Sequence, residues 1–355
     1  MQTSTLLAVL LSAAALAPAA MAQGPKPASP AAAWKAPRTA FGQPDLQGLW
    51  TNATITPLER PAKYAERLVL TPQEAAAAEG DRDKEVANGL KPSTDLDKKE
   101  IATCEVKGFS GVDCGYNAFW VDPGTKVMRV GTEARTSLIT STPEGKIPPL
   151  TAAGQARVAQ RAKLRATGKA FDGPEFLSLG ERCILSFSSS AGPPMLPLLY
   201  NNNYQIVQTP DAVVIEVEMV HDTRVIRLNG KHGPAGVRQW MGDSIGHWEG
   251  DTLVVETVNL RPEQAFRGAS GDVKVIERFT RMGPRQIKYD FTIEDPASFT
   301  RPWGGELAMT ATKGPLYEYA CHEGNHAMEG ILAGARLQEK QGKAVGPAAE
   351  EEGGQ

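Results

Sequence analysis

From residue 201 onward, short alternating segments separated by turn residues dominate the sequence, and this pattern restricts the folds that the chain can adopt. In the segment 212–219, Glu216 and Glu218 lie on one face, and the other face carries Val213, Ile215, Val217 and Met219. This period of two is typical of a half-buried β-strand. Asn-Gly and Gly-Pro pairs mark the turns between such segments. The region therefore predicts about eight short antiparallel strands joined by hairpin-type links.

A meander of this many strands closes most easily into a barrel, because closure removes the exposed edges of the sheet. The predicted fold is mainly β, an antiparallel up-and-down, lipocalin-like barrel with peripheral helices. It covers residues 201–337 and includes a C-terminal helix. For residues 43–200 we predict an α+β region that packs on the barrel, with helices that begin near Thr71 and Thr151. A sandwich of two sheets is the alternative.

The N-terminus has the pattern of a secretory signal peptide. An apolar run is followed by Ala20-Met21-Ala22, an A-x-A cleavage site, so residues 1–22 are predicted to be removed. The run is shorter than the roughly 18 residues of a membrane span, and no later stretch qualifies. We therefore predict a periplasmic or secreted protein, without a membrane span. Its mature chain would have a flexible lead-in at 23–42 and a disordered tail at 338–355.

The four cysteines, Cys104, Cys114, Cys183 and Cys321, belong to a chain that we predict to reach an oxidising compartment. An even number there favours disulfides, and four cysteines allow three pairings. Because a glycine-containing loop joins Cys104 and Cys114, this pair is the natural local bridge, and Cys183 would then pair with Cys321. The sequence leaves the choice among the three pairings open. A thiolate nucleophile or a metal ligand is the alternative, although no CxxC spacing is present.

Charge and motif content exclude several classes of function. The formal net charge is −3, and Lys and Arg are spread along the chain, so no basic stripe indicates nucleic-acid binding. The sequence contains no GxSxG motif, no P-loop and no dinucleotide-binding fingerprint. We expect a small-molecule ligand or substrate, no nucleic-acid partner and no bound cofactor. The oligomeric state is left open by the sequence.

All five histidines fall in the predicted barrel half, at positions His221, His232, His247, His322 and His326. The last two form a literal H-E-x-x-H, which in metalloproteases needs a helix to place both imidazoles on one face. Gly324 and Asn325 are poor helix formers, so we expect a loop at a helix start, capped by Asn325 or Glu323. Zinc is the alternative cofactor, if His221, His247 and His322 converge.

His221 follows Met219 with the period of a strand, which predicts that its imidazole points into the barrel. Asp222 follows His221 directly, and a histidine beside a carboxylate suits acid–base chemistry because the carboxylate fixes the tautomer of the imidazole. Arg224, two residues further on, could hold an anionic group of a substrate. The competing interpretation is a hairpin corner with a satisfied histidine and a surface ion pair. The predicted catalytic residues are His221, Asp222, His322 and Glu323, and the predicted substrate-binding residues are Arg224, His247, Asn203, Tyr204 and Trp240.

Three long motifs resemble a family of exported and largely uncharacterised bacterial proteins. They read PPMLPLLYNNNYQIVQTPDAVVIEVEMVHDTRVI, RQWMGDSIGHWEGDTLVVETVNL and YEYACHEGNHAMEGILAGAR. With shorter matches, the resemblance covers most of the chain from about residue 116 to 337, and it implies export and a barrel but no reaction. In family members the place of His326 is often taken by Tyr, which argues against a zinc site. The matching polar positions are His221, Asp222, His247, Cys321, His322 and Glu323.

The sequence thus predicts an exported, cofactor-free enzyme that acts on a small, partly apolar molecule in a barrel pocket. His and carboxylate acid–base chemistry would fit a lyase, an isomerase or a hydrolase. A non-catalytic carrier of a small hydrophobic ligand and a three-histidine, metal-dependent hydrolase are the alternatives.

Overall fold

A closed barrel of nine strands organises the chain. The computed structural model describes residues 34–89, 122–186, 192–264, 266–343 and 345, and all elements below belong to the compact unit that begins at Lys35. Two short strands pair separately as a hairpin, and the other strands form the barrel. The strands are β1 (Gly48–Thr51), β2 (Arg129–Val130), β3 (Glu133–Ala134), β4 (Asn203–Gln208), β5 (Ala212–Val217), β6 (Thr223–Leu228), β7 (Asp243–Glu249), β8 (Thr252–Val258), β9 (Lys274–Gly283), β10 (Gln286–Glu294) and β11 (Trp303–Ala311).

The order around the barrel is β1-β11-β10-β9-β8-β7-β6-β5-β4, and β4 pairs with β1 to close the ring. The predicted fold class, a mainly antiparallel β-barrel with peripheral helices, is confirmed. The odd number of strands explains why the barrel is not a simple meander. A closed ring of nine strands cannot alternate in direction throughout, so at least one neighbouring pair must be parallel. That pair is β6 and β7, and residues 229–242 make the crossing between them.

Alternation along the strands fills the barrel with side chains. On β5, the side chains of Val213, Ile215 and Val217 are completely buried, as the period-two pattern predicts. Aromatic residues from other strands join them, and Phe291 meets Trp303 edge-on with ring centroids 6.0 Å apart. A barrel of about eight strands has an interior that side chains alone can fill. One continuous hydrophobic cluster accordingly fills much of the interior.

The helices formed by the described residues are α1 (Pro72–Gly89), α2 (Ala152–Ala166) and α3 (Ala327–Lys340). The helix start predicted at Thr71 is confirmed by a reciprocal cap. The Thr71 N–H donates to Glu74 Oε2 at 2.8 Å, and the Glu74 N–H donates to Thr71 Oγ1 at 3.2 Å. None of the helices in the described part of the chain combines the length and apolar character needed to cross a membrane.

Both predicted flexible ends are in part ordered. In the described end of the lead-in, residues 35–42, Ala36 is buried and Arg38 forms an ion pair with Asp251. At the other end, α3 continues to Lys340, so the first residues of the predicted tail are helical. The predicted signal peptide lies outside the described residues.

The approach of residues 136–141 to β11 requires glycine. The Glu306 N–H donates to the carbonyl of Leu138 at 2.9 Å, and the Thr140 N–H donates to the carbonyl of Gly304 at 3.2 Å. A Cβ atom added at Gly305 would collide with the Leu138 carbonyl oxygen, which is backbone and cannot move aside. Gly305 therefore allows a second chain segment to lie directly on the barrel wall.

We expect Gly305→Ala to lower the free energy of unfolding by about 1–3 kcal/mol, because the added methyl group overpacks this contact. The matched control is Gly330→Ala in α3, where a Cβ atom meets nothing within 4 Å. That change should raise stability by about 0.5–1 kcal/mol, since alanine is the better helix former. Urea unfolding of both variants measures the difference, and a Gly305→Ala protein as stable as the wild type would contradict the close contact.

Candidate functional site

The corner between β5 and β6 contains the most unusual backbone among the predicted site residues. The strand ends at Val217, whose N–H donates to the carbonyl of Asp222 at 2.8 Å and closes the turn. Inside the turn, Val220 has φ 61° and His221 has φ 47°, both in the left-handed region. A β-branched residue is a genuine outlier there, and such strain concentrates at functional sites. The corner is therefore the candidate site.

The His221 imidazole does not point into the barrel, so that prediction is wrong. The period-two pattern fails because the strand stops before residue 218, and the turn directs this side chain to the exposed surface. Its Nδ1 lies 3.0 Å from the carbonyl oxygen of Tyr319. A carbonyl can only accept a hydrogen bond, so Nδ1 carries the proton and donates it. In the neutral ring, Nε2 then has a free lone pair available as a proton acceptor.

Asp222, the next residue, is half-buried, and its Oδ2 atom is buried without a hydrogen-bond partner among the described residues. Burial raises the pKa of this carboxyl to about 6, and the neighbouring His221 lowers it by a smaller amount. We expected Asp222 to fix the tautomer of His221, but the Tyr319 carbonyl has that role. The corner thus combines a proton acceptor of defined tautomer with a carboxyl group that retains its proton at higher pH than usual.

Glu218 is a site residue that the sequence pattern missed. Strand alternation predicts an outward side chain, yet Glu218 is only 3% exposed because the chain has already left the strand. Its carboxylate accepts hydrogen bonds from Asn203 Nδ2 at 2.6 Å and from the Tyr317 N–H at 3.1 Å. Glu218 therefore attaches the segment that carries Tyr319 to the barrel, and the predicted substrate-binding residue Asn203 supports this contact.

The segment from Thr312 to His326, which we call the strap, passes over the corner. The disulfide between Cys183 and Cys321 is present, with Cα atoms 5.7 Å apart, and it is the longer-range bridge of the pairing that the cysteine spacing favours. The rings of Tyr200 and Tyr319 are stacked, with centroids 6.3 Å apart. The other predicted pair, Cys104 and Cys114, lies outside the described residues.

Beneath the corner, a polar network lies in the barrel interior. Arg224 and Glu277 are 2% and 0% exposed and form a bidentate ion pair, at 3.0 Å from Nη1 to Oε1 and 2.6 Å from Nη2 to Oε2. Arg224 was predicted to hold a substrate anion, but its guanidinium binds this internal carboxylate instead. The hydroxyl of Tyr289 donates to Glu277 Oε1 at 2.9 Å and accepts the Met195 N–H at 2.9 Å.

Tyr204, a predicted substrate-binding residue, belongs to the same interior network. It is 1% exposed, and its hydroxyl accepts a hydrogen bond from Asn52 Nδ2 at 3.1 Å. Burial raises the pKa of both Tyr204 and Tyr289, so both phenols stay protonated. These groups are enclosed by the core and do not face a surface ligand, which makes their role structural.

The remaining predicted residues do not join the corner. His247 is exposed on β7, with Nε2 3.2 Å from Glu249 Oε1, and Trp240 packs under the guanidinium of Arg261. His322 and Glu323 are exposed on the strap. The H-E-x-x-H segment is not helical. The predicted cap by Asn325 or Glu323 is not formed, because the N-cap residue of α3 is His326, which makes no side-chain capping hydrogen bond. Asn325 precedes the cap, and its Oδ1 accepts the Ala327 N–H at 3.0 Å.

The alternative metal site made by three histidines is not formed. In the part of the chain that the structure describes, no group of three or more His, Cys, Asp or Glu side chains is placed to hold a metal ion. His221, His247 and His322 all belong to that part, and they do not converge.

The raised pKa of Asp222 predicts a pH dependence of stability. Its folded-state pKa of about 6 lies above the ordinary value of 3.8, so the protonated carboxyl favours the folded state. This contribution is complete below pH 3.8 and is lost as the pH rises through about 6. Asp222→Asn removes the titration, so the wild type should lose stability relative to the variant across this window. Urea unfolding at several pH values tests this, and a constant difference would contradict it.

Scans of the chain against protein-family models, curated proteins and solved structures each found no match.

Proposed function

We propose that this protein is an exported enzyme that performs acid–base chemistry at the β5–β6 corner, with His221 Nε2 as proton acceptor and Asp222 as proton donor. The observation that carries the proposal is the fixed tautomer of His221 beside a carboxyl whose pKa is raised to about 6. Acid–base sites typically contain two neighbouring titratable groups, one of which holds a proton while the other can accept one. The proposal uses no cofactor.

The substrate would be a small, partly apolar molecule bound at the surface of the corner. Tyr317 is 71% exposed, and its backbone N–H donates to Glu218, so the attachment of the strap leaves an aromatic ring accessible to such a molecule. Removal of a proton by His221 and delivery of a proton by Asp222 would serve a lyase, an isomerase or a hydrolase. A carrier of a hydrophobic ligand is less well supported, because the barrel interior is filled by its own side chains.

Export is the part of the proposal that rests on the N-terminal sequence. The apolar run with its A-x-A site has the form of a signal peptide, and the family that the motifs resemble is exported. The Cys183–Cys321 disulfide is consistent with an oxidising compartment. Detection of the mature chain in a periplasmic or culture fraction, cleaved before Gln23, would test this part.

A screen over three reaction classes tests the chemistry. The purified protein is offered p-nitrophenyl esters for hydrolysis, β-substituted carbonyl compounds for elimination, and ketones in D₂O for exchange of the proton next to the carbonyl. We expect the wild type to turn over members of one class and His221→Ala to lose that turnover. His247→Ala is the matched control, since His247 is equally an exposed histidine beside a carboxylate. No turnover in any class, or equal rates in the wild type and His221→Ala, would overturn the proposal.

A further inference from the structure

The strap is held in place by very few contacts. From Thr312 to His326, all of which the structure describes, no residue is fully buried, although Tyr319 is partly buried and packs against the hydrophobic core. Before Tyr319, the backbone of the strap is attached by the Thr312 N–H to the Leu49 carbonyl and by the Tyr317 N–H to Glu218. Segments with little buried apolar surface open at low free-energy cost. The position of the Tyr319 carbonyl therefore depends on the few contacts that fix the strap after Tyr317.

The covalent bond at Cys321 supplies that fixation. Cys321 is two residues from Tyr319, and its own N–H donates to the Tyr319 carbonyl at 3.0 Å. Its partner Cys183 is 8% exposed and belongs to a turn that continues into fully buried Leu185. The side-chain amide of Asn325 contacts both ends of the bridge, at 3.4 Å from Cys183 Sγ and 3.0 Å from the Cys321 carbonyl. The disulfide thus connects the strap to the barrel core.

We infer that the Cys183–Cys321 disulfide completes the proposed site, so that the His221 tautomer is set only in the oxidised chain. This inference rests on the proposed function, because it concerns the assembly of the same site. In the reduced chain no covalent bond links the strap to the barrel core beside Tyr319, and the contacts that remain there, such as the stacking of Tyr319 on Tyr200, are noncovalent. The Tyr319 carbonyl then no longer holds Nδ1 of His221 in a constant position. The imidazole then exchanges between its two tautomers, and Nε2 loses its constant lone pair.

Bridge formation is a balanced thiol–disulfide exchange. The thiols of Cys183 and Cys321 lose two protons and two electrons in total, and one S–S bond forms between them. A small-molecule or protein disulfide accepts the electrons and is released as two thiols. A chain that meets such an oxidant only after export would therefore assemble its site outside the cytoplasm and stay incomplete before that.

The experiment compares the ring nitrogens of His221 by ¹⁵N NMR in the oxidised wild type and in the C183S/C321S variant. We expect the proton on Nδ1 in the wild type and a mixture of tautomers in the variant. Turnover should fall by about 100-fold, the loss that a small misplacement of a catalytic group can cause. The C104S/C114S variant is the matched control, because it removes two cysteines but leaves the bridge to the strap, and it should keep the wild-type tautomer.

A second route covers the case in which the serine variant fails to fold. The folded wild type is reduced with a phosphine, its fold is checked by circular dichroism, and it is reoxidised with oxidised glutathione. Loss of the Nδ1 proton signal on reduction and its return on reoxidation support the inference, whereas an unchanged tautomer in the reduced, folded protein overturns it. The NMR result needs no substrate, so it is separate from the His221→Ala turnover test of the proposed function.

Discussion

Glu277→Ala is expected to lower the free energy of unfolding by about 3–5 kcal/mol, because it leaves the charge of Arg224 buried without a partner. Both side chains are at most 1% exposed, so water cannot replace the lost carboxylate. The substitution also removes the acceptor of the Tyr289 hydroxyl, which is itself buried. An unsatisfied buried donor adds its own cost of about 1–3 kcal/mol. Urea unfolding at neutral pH measures the sum.

Two controls separate burial from charge. Glu249→Ala breaks an ion pair of similar length, 2.7 Å to Arg278, but both partners are more than 40% exposed. That change should cost no more than about 1 kcal/mol. The double variant Arg224→Met with Glu277→Leu removes both charges together and should be far less destabilising than Glu277→Ala alone. A Glu277→Ala protein no less stable than Glu249→Ala would contradict the buried network.

Asp222→Asn is expected to lower turnover by about 10²–10⁴-fold, the usual contribution of a positioned acid or base. Asparagine has nearly the same shape and can fill the same half-buried position, but it cannot release a proton. In the wild type, the rate should fall as the pH rises through about 6, because the carboxyl then loses the proton that it would donate in the proposed reaction. The residual rate of the variant should lack this decline.

The control for Asp222→Asn is Asp211→Asn. Asp211 occupies the exposed turn between β4 and β5, where it accepts a hydrogen bond from the Thr209 hydroxyl at 2.7 Å. It is another turn aspartate and lies away from the Tyr319 contact, so its variant should keep the wild-type rate. If Asp222→Asn retained both the rate and the pH profile, Asp222 would not be the proton donor.

The fold was predictable to the extent that local pattern determines it. Period-two alternation and turn residues predict strands such as β5 and β10, and capping residues predict where α1 begins. Local pattern contains no information about which distant strand closes the ring. Pairing of β1 with both β4 and β11, and the parallel pairing of β6 with β7, depend on contacts far apart in sequence. The predicted meander therefore had the correct fold class, but it lacked the pairings of β1 and the parallel pair.

The site shows the same limit at the scale of single residues. The alternation that buries Val217 was extended to His221, but the left-handed backbone at Val220 reverses the direction of the chain before that residue. The same turn buries Glu218, whose partner Tyr317 is distant in sequence. The pairing of Cys183 with Cys321 was one of the three that the sequence left open, and it was favoured because a loop joins the other two cysteines. Its proximity to His221 could not be predicted.

A ¹³C NMR titration of the Asp222 carboxyl, with Asp222→Asn used to assign the resonance, tests the proposed proton donor directly. We expect a midpoint at about pH 6, because burial raises the pKa of this group. Such a result would establish a carboxyl that can donate a proton beside His221. A midpoint at the ordinary aspartate pKa of 3.8 would mean that Asp222 does not hold its proton long enough to be that donor.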